Sequence, residues 1–333
     1  MTTTRADILI VGQGLAGTLL GWELERAGIP FTMVDSGHDA AVSRIAAGIV
    51  NPITGRRLVK SWRVETLLPM ARECFRAIEQ SWGVTLWRDM RIRRIFADEK
   101  QRDVFRQKQR SCELAPYVGA SDDEGFWIEG AARVDLAALI TAARNRWRSA
   151  GILREERSTW TSLATDHDLV IDCAGQGSAE FPFIPWEFSK GEMISISVED
   201  LDPEVILNDG HWVLPTGPGE ARVGATHEPG QTDSQLTDAA RAQLVASAAR
   251  MLQRPFTVLG QYAGVRMNLP DRHPVAGRHP ENLRLGILNG LGAKGVLLAP
   301  FLARQWVNHL TEGVPFDADV DTSRFAARHW SQA

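Results

Sequence analysis

The sequence has few cysteines and lacks the long apolar runs of membrane proteins. Its cysteines, Cys74, Cys112 and Cys173, number 3 in 333 residues and never form a Cys-x-x-Cys pair, which argues against a disulfide framework and a structural zinc site. A membrane helix needs about 18 to 20 consecutive apolar residues, and the longest candidate, beginning at Gly295, is interrupted by a proline and an arginine. The apolar run Ile8–Val11 is too short for a secretory signal. These absences predict a cytoplasmic protein in a reducing compartment with no membrane partner.

A strong net charge and the motifs of several enzyme classes are also missing. The net charge is −4, with 44% hydrophobic and 23% charged residues, which is typical of a globular chain of about two domains. Such a small, negative net charge creates no overall positive electrostatic field that would attract a polyanion, so nucleic-acid binding is disfavoured. By spacing, Arg56, Lys60 and Arg63 share a helical face, which is either a solvated stripe or a patch for an anionic partner. The scattered histidines predict no metal site, and the sequence has no nucleophile elbow or P-loop.

The most informative segment begins at the first apolar run. Ile8–Val11 reads as a short buried strand; Gly12, Gly14 and Gly17 follow with GxGxxG spacing, and an apolar-periodic helix leads to a second strand that ends at Asp35. This order is a βαβ dinucleotide-binding fingerprint. Gly12 makes the tight turn, Gly14 lets the backbone approach a pyrophosphate, and Gly17 lets helix and strand pack closely. Asp35 is placed to accept the ribose hydroxyls. The pattern predicts a dinucleotide without distinguishing FAD from NAD; an ordinary βα turn is the alternative.

Two later segments are candidates to pass beside the same cofactor. Residues 168–178 read as a buried strand that ends in the small residues Ala174 and Gly175, although an ordinary buried strand would look the same. Residues 289–300 form a glycine-rich loop that opens a helix, and Gly290, Gly292 and Gly295 would let backbone approach a flat ring. The helix N-terminus there would favour the negative charge of a reduced flavin. A glycine-rich turn before a packed helix is the alternative reading.

Taken in order, these segments resemble the flavoprotein amino-acid oxidases of the D-amino-acid oxidase and glycine oxidase type, which include the flavin domain of the tRNA-modifying MnmC enzymes. The matching pieces are residues 8–35, 43–49, 134–136, 168–178, 190–192, 224–226, 264–277 and 289–300. The resemblance implies an α/β fold: a Rossmann-like, glutathione-reductase-like FAD-binding domain with an interleaved α+β substrate domain, whose antiparallel sheet covers the flavin. It assigns residues 1–80, 126–180 and 261–333 to the FAD-binding domain and 81–125 and 181–260 to the substrate domain.

The resemblance also implies site residues. Arg266 matches the arginine that pairs with the substrate carboxylate, a sensible role because a guanidinium can grip a carboxylate with two parallel hydrogen bonds; a surface or structural arginine is the alternative. His211 and Trp212 match a position where relatives present an aromatic side chain to the pocket, and Tyr262 could line the same pocket, but all three could equally be packed residues. The residues assigned to FAD are Gly12, Gly14, Leu15, Ala16, Gly17, Asp35, Ser36, Ser43, Arg44, Ala47, Gly48, Ile49, Ala174, Gly175, Arg266, Gly290, Leu291, Gly292, Ala293, Lys294, Gly295 and Val296.

One departure from the relatives limits what the resemblance implies. Where glycine oxidases carry an arginine in the C-terminal loop, this sequence has Ala293 with Lys294 beside it, so substrate recognition there does not transfer. We expect an FAD-dependent enzyme that oxidises a C–N bond of an amino acid or secondary amine by hydride transfer to flavin N5, with oxygen or another acceptor taking the electrons. Three alternatives stay open: a tRNA wobble-uridine side-chain oxidase like the MnmC flavin domain, a non-catalytic flavin-binding module, and a dehydrogenase that uses only NAD(P).

Overall fold

The fold is built on two large sheets. The structure is a computed structural model that describes residues 7–37, 42–156, 167–178 and 180–325. The first sheet has six strands in the order β17-β18-β10-β1-β2-β9. Their bounds are β1 (Ile8–Val11), β2 (Phe31–Asp35), β9 (Leu153–Glu155), β10 (Leu169–Asp172), β17 (Val275–Arg278) and β18 (Leu285–Asn289). All pairs are parallel except β17 with β18.

Strand β1 lies at the centre of this sheet because it is apolar on both faces. Ile8 and Ile10 join one hydrophobic core, while Leu9 between them joins another. A strand buried on both faces reads as a continuous apolar run rather than an alternating one. The parallel partners of β1 are β2 on one side and β10 on the other. The carboxyl ends of these strands therefore meet at one edge of the sheet, where ligands of open α/β folds bind.

The second sheet has ten strands and is antiparallel except between β6 and β12. Its central path is β15-β11-β14-β13-β12-β6-β8-β3, with β16 beside β11 and β7 beside β8. The bounds are β3 (Ile49–Val50), β6 (Trp87–Ile95), β7 (Val118–Ser121), β8 (Gly125–Val134), β11 (Glu187–Ser197), β12 (Val205–Asn208), β13 (Trp212–Gly217), β14 (Glu220–Gly224), β15 (Glu228–Pro229) and β16 (Thr257–Asn268). A short hairpin adds β4 (Ile53–Thr54) and β5 (Val59–Lys60).

The helices cover these sheets and close the cores. Their bounds are α1 (Leu15–Arg26), α2 (Val42–Ile45), α3 (Val64–Trp82), α4 (Glu99–Arg110), α5 (Leu136–Ser149), α6 (Asp238–Leu252) and α7 (Gly295–Glu312), with a 3-10 turn at Gly175–Gly177. Three helices begin with a side-chain cap: Asp98 accepts from the N–H of Gln101, Asp135 from that of Ala138, and Thr237 from that of Ala240. Helices α1 and α7 pack against each other and begin without such a cap.

The second sheet uses its two faces differently. On one face Ile194, Val213 and Val223 pack under α6 against Leu244 and Ala248. Because side chains alternate along a strand, their neighbours point the other way, toward the first sheet and α7. That inner face forms a wall of the candidate site.

Three strands of the second sheet come wholly or largely from segments that were predicted to lie in the FAD-binding domain. Strand β8 (Gly125–Val134) pairs with β6, and β16 (Thr257–Asn268) pairs with β11 along almost its whole length. Both strands therefore belong to the second sheet, although most of their residues were predicted to lie in the FAD-binding domain. Strand β3 (Ile49–Val50), from the predicted segment 1–80, also joins this sheet by pairing with β8. The division into domains stays a prediction, and its ends at 1–6 and 326–333 lie outside the described residues.

The predicted helical stripe of basic residues is wrong. Arg56 lies in a turn, Lys60 ends β5, and Arg63 immediately precedes α3, so the three do not share a helix. Each instead pairs with carboxylates: Arg56 Nη2 lies 2.5 Å from Asp98, Lys60 Nζ 2.7 Å from Glu65, and Arg63 Nη2 3.0 Å from Asp319, with Asp317 on its other nitrogen. These ion pairs neutralise the patch.

The described residues contain neither a membrane-spanning helix nor a metal-binding cluster. Within the described ranges, no helix is long and apolar enough to cross a membrane. Over the same ranges, no cluster of three or more His, Cys, Asp and Glu side chains is arranged to hold a metal ion.

Candidate active site

Two adjoining cavities lie where the first sheet meets the second. The fingerprint cavity, of about 360 Å³, is lined by Gly12, Gly14, Leu15, Ala16, Asp35, Ser36, Gly37, Val42, Ser43, residues 173–176, residues 265–267, Asn289, Leu291 and Gly292. The sheet cavity, of about 310 Å³, shares Leu15, Val42, Ser43, Arg266, Leu291 and Gly292 with it. Both therefore open on Arg266 and on the loop before α7.

Two glycines of the fingerprint permit close backbone approaches, and the third leaves space. A Cβ on Gly12 would lie 2.8 Å from backbone atoms of Cys173 and Ala174, just after β10, and its φ of +97° is in the left-handed region. A Cβ on Gly17 would lie 2.0 Å from the carbonyl oxygen of Gly12. At Gly14 the only protein atom so close is the Ser43 Oγ, at 3.2 Å. Gly12 and Gly17 are thus required by the protein's own packing, whereas Gly14 keeps open the space above the start of α1.

The start of α1 offers donors to an anion. Gly14 is its N-cap residue, no side chain of the cap residue accepts a hydrogen bond there, and the Leu15 N–H donates to Ser43 Oγ at 3.1 Å. Uncapped N–H groups and the helix dipole together favour negative charge at this point. The position suits a pyrophosphate, as the fingerprint predicts.

Asp35 ends β2 in a network that fixes its carboxylate. It accepts from the Gln13 N–H at 2.8 Å and from Arg144 Nη1 at 3.1 Å. Arg144 also donates to the Gln13 side chain at 2.8 Å and pairs with Glu155 at 3.1 Å. Arg144 lies on α5, far from the fingerprint in sequence, and the sequence analysis missed it. Its charge holds Asp35 in place at the edge of the fingerprint cavity.

These features fit the adenine-dinucleotide half of FAD. The space over Gly14, the free donors of α1 and the anchored carboxylate of Asp35 are what a pyrophosphate and a ribose require. Leu15, Ala16, Ser36 and Ser43 line this cavity, as do Ala174 and Gly175 from the loop after β10. These residues therefore converge from separate segments of the chain.

Asp172, at the end of β10, is buried beside this cavity and carries an unusual pKa. Its side chain accepts from the Ala174 N–H at 2.9 Å, while its Oδ2 has no partner among the described residues. Burial raises the pKa of Asp172 to about 7, against hydrogen bonds from Ala174 and Ser178 that lower it. The folded protein therefore holds this proton at pH values where the unfolded chain has lost it.

We expect Asp172→Asn to remove part of the pH dependence of stability. The pKa of Asp172 in the folded protein lies above the unfolded value of about 3.9. The stabilisation that its bound proton gives the folded state is therefore complete below about pH 4, decreases as the pH rises toward 7, and is lost above it. The neutral amide has no such loss, so the variant gains stability relative to the wild type between pH 4.5 and 7.5. Urea denaturation across this range measures the difference. A constant difference at every pH would contradict the assignment.

The sheet cavity has two walls of different origin. One is made by residues 47–49 at the start of β3 and by residues at the start of α7, namely Leu291, Gly292, Ala293, Gly295 and Val296. A Cβ on Gly48 would lie 2.0 Å from the carbonyl oxygen of Val134, so this turn also needs its glycine. The other wall is the inner face of the second sheet, with Gly191, Met193, Asn208, Trp212 and Gly264.

Arg266 projects from β16 between the two cavities. A Cβ on Gly191, on the neighbouring strand, would lie 2.2 Å from Arg266 Nη2, so the guanidinium rests over that glycine. Its Nη1 donates to the carbonyl of Thr226 at 3.4 Å. Within the described part of the chain, no carboxylate forms an ion pair with it. Burial lowers the pKa of Arg266, yet a guanidinium remains charged, so this positive charge is available to an anionic ligand.

Trp212 and His211 are neighbours that take opposite sides of the sheet. Trp212 lines the sheet cavity. His211 faces α6, where its Nδ1 lies 3.1 Å from Ser247 Oγ and its Nε2 lies 3.3 Å from Gln243 Nε2. The alternation of side chains along a strand explains the difference. The predicted catalytic role of His211 is therefore not supported by its position.

Five other predicted residues lie outside the cavity linings. One is Gly17, which packs against the carbonyl oxygen of Gly12. Tyr262 is on the same face of β16 as Arg266 but is 38% exposed and packs near the guanidinium of Arg222. Arg44 lies within α2, beside the lining residue Ser43, without lining either cavity. Gly290 precedes the lining residues of the loop before α7, and Lys294 lies between the lining residues Ala293 and Gly295 without lining either cavity. Burial lowers the pKa of Lys294. Their predicted contacts with FAD stay predictions.

Several lining residues were missed by the sequence analysis. Gly191, Met193, Ala225, Ile206 and Asn208 are brought to the sheet cavity by strand pairing. Gly191 and Ala225 have a local signal, because they lie in the matching segments 190–192 and 224–226. The others depend on sheet register, which pairs residues far apart in the sequence.

Comparisons with known proteins agree with this geometry. Residues 7–308 match the family described as DAO, FAD dependent oxidoreductase. The bifunctional tRNA 5-methylaminomethyl-2-thiouridine biosynthesis protein MnmC of Maricaulis maris is 30% identical over 349 residues, and this chain spans 56% of its length. The glycine oxidase of Pseudomonas aeruginosa is 25% identical over 341 residues, covering 89% of this chain and 92% of that one.

Solved structures agree in fold. The crystal structure of glycine oxidase from Geobacillus kaustophilus superposes with a TM-score of 0.75 at 20% identity, covering 95% of this chain and 97% of that one. Iminodiacetate oxidase from Chelativorans gives a TM-score of 0.75 at 22% identity, covering 93% and 96%. The predicted α/β fold with its second, mostly antiparallel sheet is confirmed, and so is the resemblance from which it came. The chain belongs to the DAO family of FAD-dependent oxidoreductases.

Proposed function

We propose that this chain oxidises the C–N bond of an amino acid or secondary amine that carries a carboxylate next to the reacting carbon. The observation that carries the proposal is Arg266: a partly buried guanidinium between the two cavities, placed over Gly191 and without an ion-pair partner in the described part of the chain. A charge desolvated in this way is costly unless a ligand neutralises it. A substrate carboxylate would do so with two charge-assisted hydrogen bonds.

The roles of the chain in this reaction follow from the two walls of the sheet cavity. FAD, when bound, supplies a two-electron acceptor for the hydride of the carbon next to nitrogen. Arg266 holds the carboxylate and so fixes the orientation of that carbon. Met193 and Trp212 on the sheet wall exclude water from the reacting centre. The uncapped N-terminus of α7 offers N–H groups and a positive dipole end to negative charge that develops nearby.

The experiment is an anaerobic titration followed by the visible spectrum. The purified protein, loaded with FAD, is mixed with amino acids and N-alkylglycines, each paired with its own carboxamide as a matched control. We expect a carboxylate compound to bleach the flavin bands and its carboxamide to fail. A flavin that no amine bleaches, or that both members of a pair bleach equally, would refute the proposal. Admitting oxygen afterwards then distinguishes oxygen from another electron acceptor.

The second candidate is oxidation of a tRNA wobble-uridine side chain. The identity of 30% to the MnmC of Maricaulis maris, which extends over 100% of this chain, favours it. The ion pairs of Arg56, Lys60 and Arg63 weigh against it, because these three side chains already face carboxylates. Tight, steeply salt-dependent binding of tRNA would support this candidate. Weak binding insensitive to salt would remove it.

A further inference from the structure

Asn208 is a buried amide whose nitrogen has no partner. Its side chain is 7% exposed and lines the sheet cavity at the end of β12. Its Oδ1 accepts from Arg94 Nη1 and from the Gly210 N–H at 3.2 Å. Since a guanidinium and a backbone N–H can only donate, these contacts fix which end of the amide is oxygen. The Nδ2 is then left facing the cavity, with no acceptor in any of the described ranges.

Arg94 adds positive charge behind this amide. It lies on β6, where it pairs in register with Asn208, and is 6% exposed. Its Nε has no partner among the described residues, and the nearest acidic neighbour that affects its pKa, Asp209, already binds Arg250 and Ser247. Burial lowers the pKa of Arg94, but the group stays charged. The amide therefore presents its donors in a positive potential.

Asn208 and Arg266 lie at two separated points of the same wall. Across the inner face, Asn208 pairs with Trp212, Trp212 with Gly224, and Gly224 with Met193. Met193 is on β11, the strand of Gly191 over which the Arg266 guanidinium rests. Three strand spacings of about 4.8 Å separate β11 from β12, which is about 14 Å along the sheet. A ligand that reaches both groups must be longer than glycine.

We propose that Asn208, positioned by Arg94, binds a second carboxylate on the substrate, so that the enzyme acts on an elongated dicarboxylic amine. This inference rests on the proposed function, in which Arg266 holds the first carboxylate. The carboxylate at Asn208 accepts from Nδ2 and compensates the buried charge of Arg94. Trp212 and Met193 pack against the chain of the substrate that joins its two ends. Asn208 thus determines specificity, and Arg94 is a positioning residue.

The test compares two matched series of N-substituted glycines. One carries ω-carboxyalkyl groups of one to six methylenes, and the other carries n-alkyl groups of the same length. For the wild type we expect kcat/KM of one dicarboxylate to exceed that of its n-alkyl partner by about 10- to 100-fold, the value of a hydrogen bond to a charged group. An advantage below about twofold at every length would overturn the inference.

The diagnostic variant is Asn208→Asp. It keeps an acceptor for Arg94 and for the Gly210 N–H, so the local fold is preserved, but it replaces the Nδ2 donors with a carboxylate oxygen. We expect the dicarboxylate-to-alkyl ratio of kcat/KM to fall to about one or below, chiefly through KM. Glu204→Gln, an exposed change just before β12, is the control and should keep the wild-type ratio. An unchanged ratio in Asn208→Asp would exclude Asn208.

Failure of this inference is distinguishable from failure of the proposed function. If no amine in either series reduces the flavin, the proposed function itself fails. If amines reduce it but a second carboxylate gives no advantage, only the role of Asn208 is refuted. Binding of a dicarboxylate without a reactive amine, followed by the perturbation of the flavin spectrum, gives a second readout; wild type and Asn208→Asp should differ in Kd by about 10-fold or more.

Discussion

Arg266→Ala will raise the KM of the carboxylate substrate by about 10²- to 10³-fold while FAD remains bound. Removing one partner of a buried, hydrogen-bonded charge pair costs about 2–5 kcal/mol, and Arg266 is the cation that both cavities share. The alanine also leaves space over Gly191, where the guanidinium rested. The substrate then loses its orientation, so kcat falls as well. Steady-state kinetics with the substrate found by anaerobic titration measures both constants.

Two further variants show whether the effect belongs to the guanidinium. Arg266→Lys keeps the charge but not the planar pair of donors, and it should recover only a small part of the affinity. Arg272→Ala removes a nearby arginine that is largely exposed and pairs with Glu187 at 3.1 Å; it should behave like the wild type. If Arg266→Ala kept the wild-type KM with full flavin content, the carboxylate would bind elsewhere.

Gly14→Val and Gly17→Val, three residues apart, will have different defects: the first loses FAD affinity and the second loses folding stability. The Cβ at Gly17 meets the Gly12 carbonyl oxygen at 2.0 Å, so the strand and α1 must separate, at a cost of more than about 3 kcal/mol. At Gly14 the φ of −82° suits any residue, and the Cβ meets only Ser43 Oγ at 3.2 Å. The Gly14 variant should therefore fold while its side chain occupies the space over the helix start. FAD affinity falls at least about 100-fold as two or more charge-assisted hydrogen bonds are lost.

The measurements separate folding from cofactor binding. For Gly14→Val we expect a near-native circular dichroism spectrum and denaturation midpoint of the apoprotein, with little flavin retained and weak binding in a fluorescence titration. For Gly17→Val we expect a lower midpoint or insoluble protein even with excess FAD. Gly37→Ala is the control near the same cavity, because no atom of the described residues lies within 4 Å of its Cβ, although its φ of +110° carries some strain. Full flavin content in Gly14→Val would show that the pyrophosphate does not approach this glycine.

The sequence predicts the part of the site whose residues are close together along the chain. The fingerprint from Ile8–Val11 to Asp35 is one continuous segment, and its glycines have geometric roles that hold in any βαβ unit. The loop before α7 is likewise continuous. Their residues line the two cavities with few exceptions. A short-range pattern was enough because the chemistry of a helix N-terminus lies in consecutive residues.

The sheet wall could not be predicted in the same way. Asn208 looks like an ordinary turn residue, and its role depends on Arg94, which lies 114 residues earlier. The sequence could not distinguish His211 from Trp212, because adjacent residues of a strand point to opposite faces of the sheet. A shift of one residue in register would exchange which of them faces the cavity. The helical spacing of Arg56, Lys60 and Arg63 was misleading because the Gly55 turn, with its φ of +74°, and a short hairpin interrupt that segment.

The strand order has a consequence for how the protein is made. In the first sheet, β1 from the start of the chain pairs with β10, and β10 pairs with β18, which ends at Asn289. In the second sheet, β3 at residues 49–50 cannot pair until β8 at residues 125–134 has been synthesised. On the ribosome, neither sheet can be completed until most of the chain has emerged, since folding cannot pair strands not yet synthesised. Cofactor loading is therefore a late event of biogenesis, and a nascent chain arrested before β18 would bind no flavin.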